Sequence, residues 1–150
     1  MKKQLALSEG NVFLVPLSIG FAVGVLVRFD GRGRAYGVFF APRLASKEEV
    51  VISELKPEEG GLRFRFGDHG LYTGRWPVIG RIPLWNRERW VLPKFWRSHD
   101  DINLCYITEY DDELGVRSEI VGMKSEADGL PYDAQYGSAI IESKLDKLLK

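Results

Sequence analysis

Two stretches of strictly alternating apolar residues, separated by an Asp-Gly turn, constrain the fold of this chain most. In residues 21–29 one face carries the large apolar side chains Phe21, Val23, Val25, Val27 and Phe29. Residues 35–40 repeat the alternation after Asp30-Gly31. Alternation is typical of strands and Asp-Gly favours a tight turn, so the pattern predicts an antiparallel hairpin. Gly24 and Gly37 interrupt the second face, which predicts a sharply bent sheet or a small barrel.

Further strands are predicted on both sides of this hairpin, at residues 12–17, 62–66, 76–79, 102–110 and 116–121. Arg63 and Arg65 alternate with apolar residues, which predicts a basic outer face on their strand. Ser46 with Glu49 forms a capping-box pattern, and the segment is interpreted as a short helix, with a strand from Val50 as the alternative.

One amphipathic helix is predicted near the end of the chain. Asp133 is the expected N-cap, and the apolar stripe comprises Gly137, Ile141, Leu145 and Leu148. Together these elements predict a single mainly β (α+β) domain over residues 1–150. Its expected architecture is a strongly bent antiparallel sheet or small barrel with a C-terminal α-helix.

The charge of the chain is balanced overall but divided unevenly. Lys and Arg number 21, as do Asp and Glu, so a global field that attracts nucleic acid is not expected. Residues 1–100 contain 16 basic and 10 acidic side chains, whereas residues 101–150 contain 5 and 11. The acidic part is interpreted either as a solvated edge or as a surface for a partner.

The chain has one cysteine, Cys105, in an apolar run, which predicts a buried thiol and fits a reducing compartment. No apolar run approaches the roughly 18 residues of a membrane span, and the N-terminus lacks a signal-peptide pattern. A cytoplasmic location without membrane association is therefore expected.

Residue patterns that carry chemistry are sparse. The two histidines, His69 and His99, are not at metal-ligand spacing, and no phosphate-binding loop or nucleophile elbow is present. The acidic residues Asp100-Asp101 and Asp111-Asp112-Glu113 lie in predicted turns. Solvent in such turns is expected to keep the pKa values of carboxyl groups in their usual range, which does not favour acid–base catalysis. No catalytic residue, metal or cofactor is predicted. A hydrolase that uses acids near His99 remains an alternative.

Arginine and tryptophan residues mix between positions 75 and 97. Stacking on Trp85, Trp90 and Trp96 beside basic side chains would suit single-stranded nucleic acid, so a small β-barrel nucleic-acid-binding module is a further alternative. The same residue types dominate protein–protein interfaces. Packing of the tryptophans in the core is the simplest interpretation.

Three motifs follow one another along the chain: Gly10-Asn11-Val12-Phe13-Leu14-Val15-Pro16-Leu17, Gly74-Arg75-Trp76-Pro77-Val78-Ile79-Gly80, and Cys105-Tyr106-Ile107-Thr108-Glu109-Tyr110-Asp111. In their order and spacing they resemble the immunity protein 26 family of bacterial polymorphic-toxin systems. Gly74, Arg75, Trp76 and Gly80 are the strongest markers, with a structural role expected. The family pattern opens with Gly-Asp where this chain has Gly10-Asn11, and Asn forms similar local turns.

The resemblance implies an immunity protein that binds and neutralises a cognate toxin domain by occluding it, without catalysis. A monomer or weak dimer with no nucleic-acid partner is expected. The expected toxin contacts are Asp100, Asp101, Glu109, Asp111 and Asp112, with Trp85 and Trp90 as anchors. Some relatives carry a phosphotriesterase label, but this chain lacks the histidine cluster of metal-dependent phosphotriesterases.

Overall fold

The computed structural model describes residues 6–149. The strands are β1 Asn11–Pro16, β2 Phe21–Phe29, β3 Arg34–Leu44, β4 Leu62–Gly67, β5 Val78–Arg81, β6 Phe95–Ser98, β7 Leu104–Tyr110, β8 Val116–Met123 and β9 Gln135–Tyr136. The α-helices are α1 His69–Thr73 and α2 Ser138–Leu148. Short 3-10 helices cover Lys47–Glu49, Ile52–Glu54, Pro57–Glu59 and Lys124–Ala127.

The strands form two sheets. The larger has the order β5-β1-β2-β3-β4-β9 and is antiparallel except for the parallel pair β4–β9. The smaller is antiparallel with the order β6-β7-β8. The prediction of a mainly β fold with a C-terminal helix is confirmed. The larger sheet is open, with β5 and β9 at its two edges, so the bent sheet is the correct alternative and the closed barrel is not.

The β2–β3 hairpin forms as predicted, and its register places Val25 opposite Val38 and Gly24 opposite Phe39. The structure shows why these strands contain glycine. A Cβ atom at Gly24 would come 2.6 Å from the ring of Phe13, and one at Gly37 would come 2.9 Å from the ring of Phe66. Both glycines therefore make room for aromatic rings that pack across the sheet.

Each face of the larger sheet is covered by a different layer. On one face, Phe13, Phe39, Phe66 and Trp76 pack with Ile141 and Leu145 of α2. On the other, a second cluster includes residues from the 3-10 segment, from the loop before β6 and from the smaller sheet, among them Ile52, Trp90, Phe95, Tyr110 and Leu114. The larger sheet is thus the middle layer, and the smaller sheet projects from one of its faces.

Several local predictions are corrected. Asp133 is not the N-cap of the terminal helix, because α2 begins at Ser138 with Gly137 as its N-cap. Leu149, rather than Leu148, completes the buried stripe of this helix. The capping box at Ser46 starts only a 3-10 turn, and the alternative strand from Val50 is wrong. Arg65 is buried rather than on a basic outer face.

Among residues 6–149, no helix has both the length and the apolar character needed to cross a membrane.

Candidate interaction surface

The motif Gly74 to Gly80 joins the larger sheet to the terminal helix. Trp76 is fully buried and lies parallel to the ring of Phe13, with ring centres 5.8 Å apart. Its Nε1–H donates to Glu142 Oε2 at 2.9 Å, and Arg75 donates to both oxygens of the same carboxylate at 2.7 and 2.6 Å. Donation by Arg75, then by Trp76, outweighs burial and lowers the pKa of Glu142. The predicted structural role of Trp76 therefore has a defined partner on α2.

The two glycines of this motif have different functions. Gly74 ends α1 with φ of 81°, a left-handed conformation that favours glycine. Gly80 lies inside β5. A Cβ atom there would come 2.4 Å from Ile52 Cδ1, so Gly80 allows the 3-10 segment to pack closely against the strand.

The five acidic residues expected to face a partner do not form one patch. Asp100 and Asp101 lie in the β6–β7 loop, whereas Asp111 and Asp112 lie in the β7–β8 turn. These connections are at opposite ends of β7, which at ~3.3 Å per residue separates them by about 20 Å. Glu109 lies near the second end, close to Lys94 Nζ at 3.9 Å and Arg117 Nη1 at 3.4 Å. These residues are close in the sequence, which suggested a single acidic edge. The strand between them holds the two groups apart.

Asp112 is the internal partner of a buried arginine. Arg28 is 4% exposed, and its Nε donates to Asp112 Oδ1 at 2.9 Å. Arg28 Nη1 donates to the carbonyl oxygens of Val27 and Trp90 at 2.9 and 3.0 Å, and Nη2 donates to that of Arg87 at 3.4 Å. The hydrogen bond from Arg28 is the largest cause that lowers the pKa of Asp112, with Arg28 and Arg87 adding charge attraction. Asp112 therefore connects the β7–β8 turn to the larger sheet.

Replacing Asp112 by asparagine is expected to lower the free energy of unfolding by about 0.5–1.5 kcal/mol, because Arg28 loses a charge-assisted hydrogen bond that solvent weakens at the half-exposed Asp112 carboxylate. The folded-state pKa of Asp112 is depressed, so this contribution is present above the unfolded pKa of about 3.9 and is lost as pH falls through the lower folded value. Denaturant unfolding of both proteins at several pH values measures the difference. It should be largest near neutrality and vanish in acid; a pH-independent difference would contradict this role.

The other three expected contacts in these two connections, Asp100, Asp101 and Asp111, differ in how they are held. Asp101 accepts a hydrogen bond from the backbone of Asn103 at 2.9 Å, and its own N–H donates to His99 Nδ1 at 2.9 Å. Asp111 accepts from the N–H groups of Glu113 and Gly115 at 2.9 and 3.0 Å, which closes the β7–β8 turn. Asp100 is exposed, and within residues 6–149 its carboxylate has no hydrogen bond or ion pair.

The two tryptophans expected as anchors lie against each other. Trp90 is 3% exposed and Trp85 is half-buried, with ring centres 5.5 Å apart. Trp90 belongs to the core and cannot insert into a partner from this position, so that assignment is not kept. Trp85 Nε1 is buried without a hydrogen-bond partner among the described residues. Of the two, only Trp85 remains a candidate contact.

A buried polar cluster that the sequence did not reveal connects the two sheets. Asp133 Oδ1 accepts from Arg65 Nη2 at 2.6 Å and from the Tyr110 hydroxyl at 2.7 Å. The Arg65 guanidinium also lies 4.4 Å from the centre of the Tyr110 ring. Burial, followed by donation to Asp133, raises the pKa of Tyr110 to about 12. The cluster joins β4, β7 and the segment before β9, far apart in sequence.

Strand β8 presents the largest set of exposed apolar side chains in the smaller sheet. Seven of its eight residues are exposed, and the remaining residue, Gly122, is half-buried. Val116, Ile120, Val121 and Met123 are each more than half exposed. The strand pairs with β7 on one side, and within residues 6–149 no strand pairs with its other side. Exposed apolar side chains on such an edge strand are uncommon in monomeric proteins.

His69 and His99 do not belong to a metal-binding group within residues 6–149. Within residues 6–149, no group of three or more His, Cys, Asp or Glu side chains is placed to hold a metal ion. His99 packs against the ring of Tyr106, with ring centres 4.8 Å apart. Cys105 is buried, as predicted.

Comparison with known proteins gives one match. The family model of immunity protein 26 matches residues 8–104, which is more than half of the chain. No curated protein and no solved structure matches. The matched part contains β1 to β6, with the Trp76 motif, and ends where β7 begins. Because the match covers more than half of the chain and includes the Trp76 motif, the chain belongs to the immunity protein 26 family.

Proposed function

We propose that this protein is an immunity protein that binds a cognate bacterial toxin and neutralises it by occlusion, without catalysis. The observation that carries the proposal is membership of the immunity protein 26 family. The proposed partner is a toxin domain, the proposed location is the cytoplasm, and the proposed free state is a monomer or weak dimer.

The charge of residues 99–128 supports a basic partner. This segment contains nine Asp and Glu residues but only two Lys and Arg residues, Arg117 and Lys124. Complementary charge accelerates association and discriminates between partners more than it raises affinity. A toxin that acts on an anionic substrate needs a basic active site, so an acidic surface placed over that site would block substrate entry.

The contacts proposed first are Asp100 and Asp101, because both are exposed and lie in the β6–β7 loop, at the end of β7 away from the Arg28–Asp112 contact. Glu109, Asp111 and Trp85 are proposed as further contacts. Asp112 is proposed to add charge beside Glu109 and Asp111, at the other end of β7 from Asp100 and Asp101, while it holds Arg28 in place.

Co-expression with the toxin encoded by the neighbouring reading frame tests the proposal. Cells that express the toxin alone are expected to stop growing, and cells that also express this protein are expected to grow. Absence of rescue by soluble, folded protein would overturn the proposed function.

The double variant Asp100→Lys with Asp101→Lys tests the surface. It is expected to slow association with the toxin at least tenfold at low salt, since charge reversal converts attraction into repulsion. The matched control is Glu48→Lys with Glu54→Lys, two exposed acids of the 3-10 segment. Surface plasmon resonance at two salt concentrations measures both rates; equal association rates for the two double variants would contradict the placement of the contacts.

A further inference from the structure

The main chain of β8 supplies a second kind of binding feature, distinct from the acidic side chains. We propose that the outer edge of β8 accepts an extended, basic segment of the toxin as a fourth strand of the smaller sheet. The inference rests on the proposed function and specifies how the partner is held.

The hydrogen bonds at the end of the strand establish which backbone groups point away from β7. Lys124 donates its N–H to the Asn103 carbonyl at 2.8 Å, on the β7 side. The neighbouring Met123 donates its N–H away from β7, to Glu126 Oε2 at 2.7 Å. Residues of an antiparallel edge strand alternate between these two directions. Val121 and Glu119 therefore direct their N–H and C=O groups outward, whereas Ile120 and Gly122 bond to β7.

The side chains along this edge favour an added strand. Ile120 lies on one face of the sheet with its partner Ile107, and Val121 lies on the other with its partner Tyr106. An incoming strand would place alternate side chains beside these two apolar positions, while main-chain hydrogen bonds supply affinity. Met123 extends the apolar contact on the Val121 face.

Charged residues usually protect an exposed sheet edge, but here they are held across the sheet. Glu119 accepts from Arg97 Nη2 at 2.8 Å and from the Thr108 hydroxyl at 3.1 Å. Arg117 lies 3.4 Å from Glu109 Oε1. Both charged side chains of β8 are thus paired with neighbours on β6 or β7, which leaves the outer edge accessible.

Charge identifies the occupant. A second copy of this chain paired through β8 would bring two acidic segments together across a two-fold axis, which is unfavourable. The excess of acidic residues over residues 99–128 instead complements a basic strand. The family match ends at residue 104, and β8 lies beyond it.

Val121→Pro tests the role of the main chain, with Val121→Ala as its matched control. Proline removes the outward N–H without removing a β7 hydrogen bond, whereas alanine removes most of the side chain and keeps the N–H. Isothermal titration with the neighbouring toxin domain is expected to show at least about tenfold weaker binding for Val121→Pro than for Val121→Ala, the loss of one interface hydrogen bond. Equal affinities of two folded variants would overturn the proposal.

Hydrogen exchange on the wild-type chain tests the same proposal independently of the folding of either variant. Exchange of the Glu119 and Val121 amides is expected to slow on toxin binding. Unchanged exchange in the complex would overturn strand addition even if the toxin is neutralised. Slow exchange in the free chain that depends on its concentration would assign the edge to a second copy and overturn the proposed occupant. A wild-type chain that neither binds nor rescues would overturn the proposed function as well.

Discussion

Replacing Trp76 by alanine is expected to lower the free energy of unfolding by about 3–5 kcal/mol, because it removes a large buried ring from the core. Trp76 is fully buried between Phe13, Phe66 and the terminal helix. The change also removes the Nε1 donor from Glu142, which retains Arg75. Urea unfolding followed by circular dichroism measures the loss.

The variant Trp76→Phe separates the contribution of the buried ring from that of the hydrogen bond to Glu142. It keeps an aromatic ring in the core and removes the indole N–H, so it is expected to cost less than Trp76→Ala. A loss below about 1 kcal/mol for Trp76→Ala would mean that the ring does not pack as described, since that is the range of surface substitutions and conservative changes.

Replacing Asp133 by alanine is expected to cost about 3–5 kcal/mol, because it leaves the buried guanidinium of Arg65 without its charged partner. The Tyr110 hydroxyl loses its acceptor at the same time. Since the cluster joins β4 to β7, the smaller sheet should loosen from the larger one before the rest of the chain unfolds. Hydrogen exchange at β7 amides and urea unfolding together measure this effect.

Asp128→Ala is the matched control for that prediction. Asp128 is an exposed acid five residues away, and its replacement is expected to change stability by no more than about 0.5 kcal/mol. If Asp133→Ala and Asp128→Ala have the same stability, the Arg65–Asp133 pair does not hold the sheets together.

Sequence patterns predicted the elements that are defined by residues close together in the chain. The β2–β3 hairpin was predictable because Asp30-Gly31 separates two stretches of period two, and burial on both faces confirms them. The terminal helix was predictable from its apolar stripe, but its start was not. Asp133 resembles an N-cap in sequence, and only the fold shows that its carboxylate is used by Arg65 and Tyr110.

The candidate surface was less predictable because it depends on contacts between distant residues. Asp112 resembles Asp100 in sequence, yet one carboxylate is bonded to Arg28, 84 positions away, and the other is exposed. Trp90 resembles an interface anchor until the loop before β6 places it in the core. The open edge of β8 carries no motif at all. Its exposure is visible only in the sheet order, in which no strand of residues 6–149 pairs with its outer side.

Neutralisation by binding is tested most directly by titrating the purified neighbouring toxin with the purified chain and measuring residual toxin activity. Occlusion predicts that activity falls linearly and reaches zero at about one chain per toxin, with full activity recovered when the complex is denatured and the toxin refolded alone. Toxin activity that persists at excess chain would contradict neutralisation. Activity that disappears at far lower ratios and does not return would show that the chain acts as a catalyst, in contradiction to occlusion.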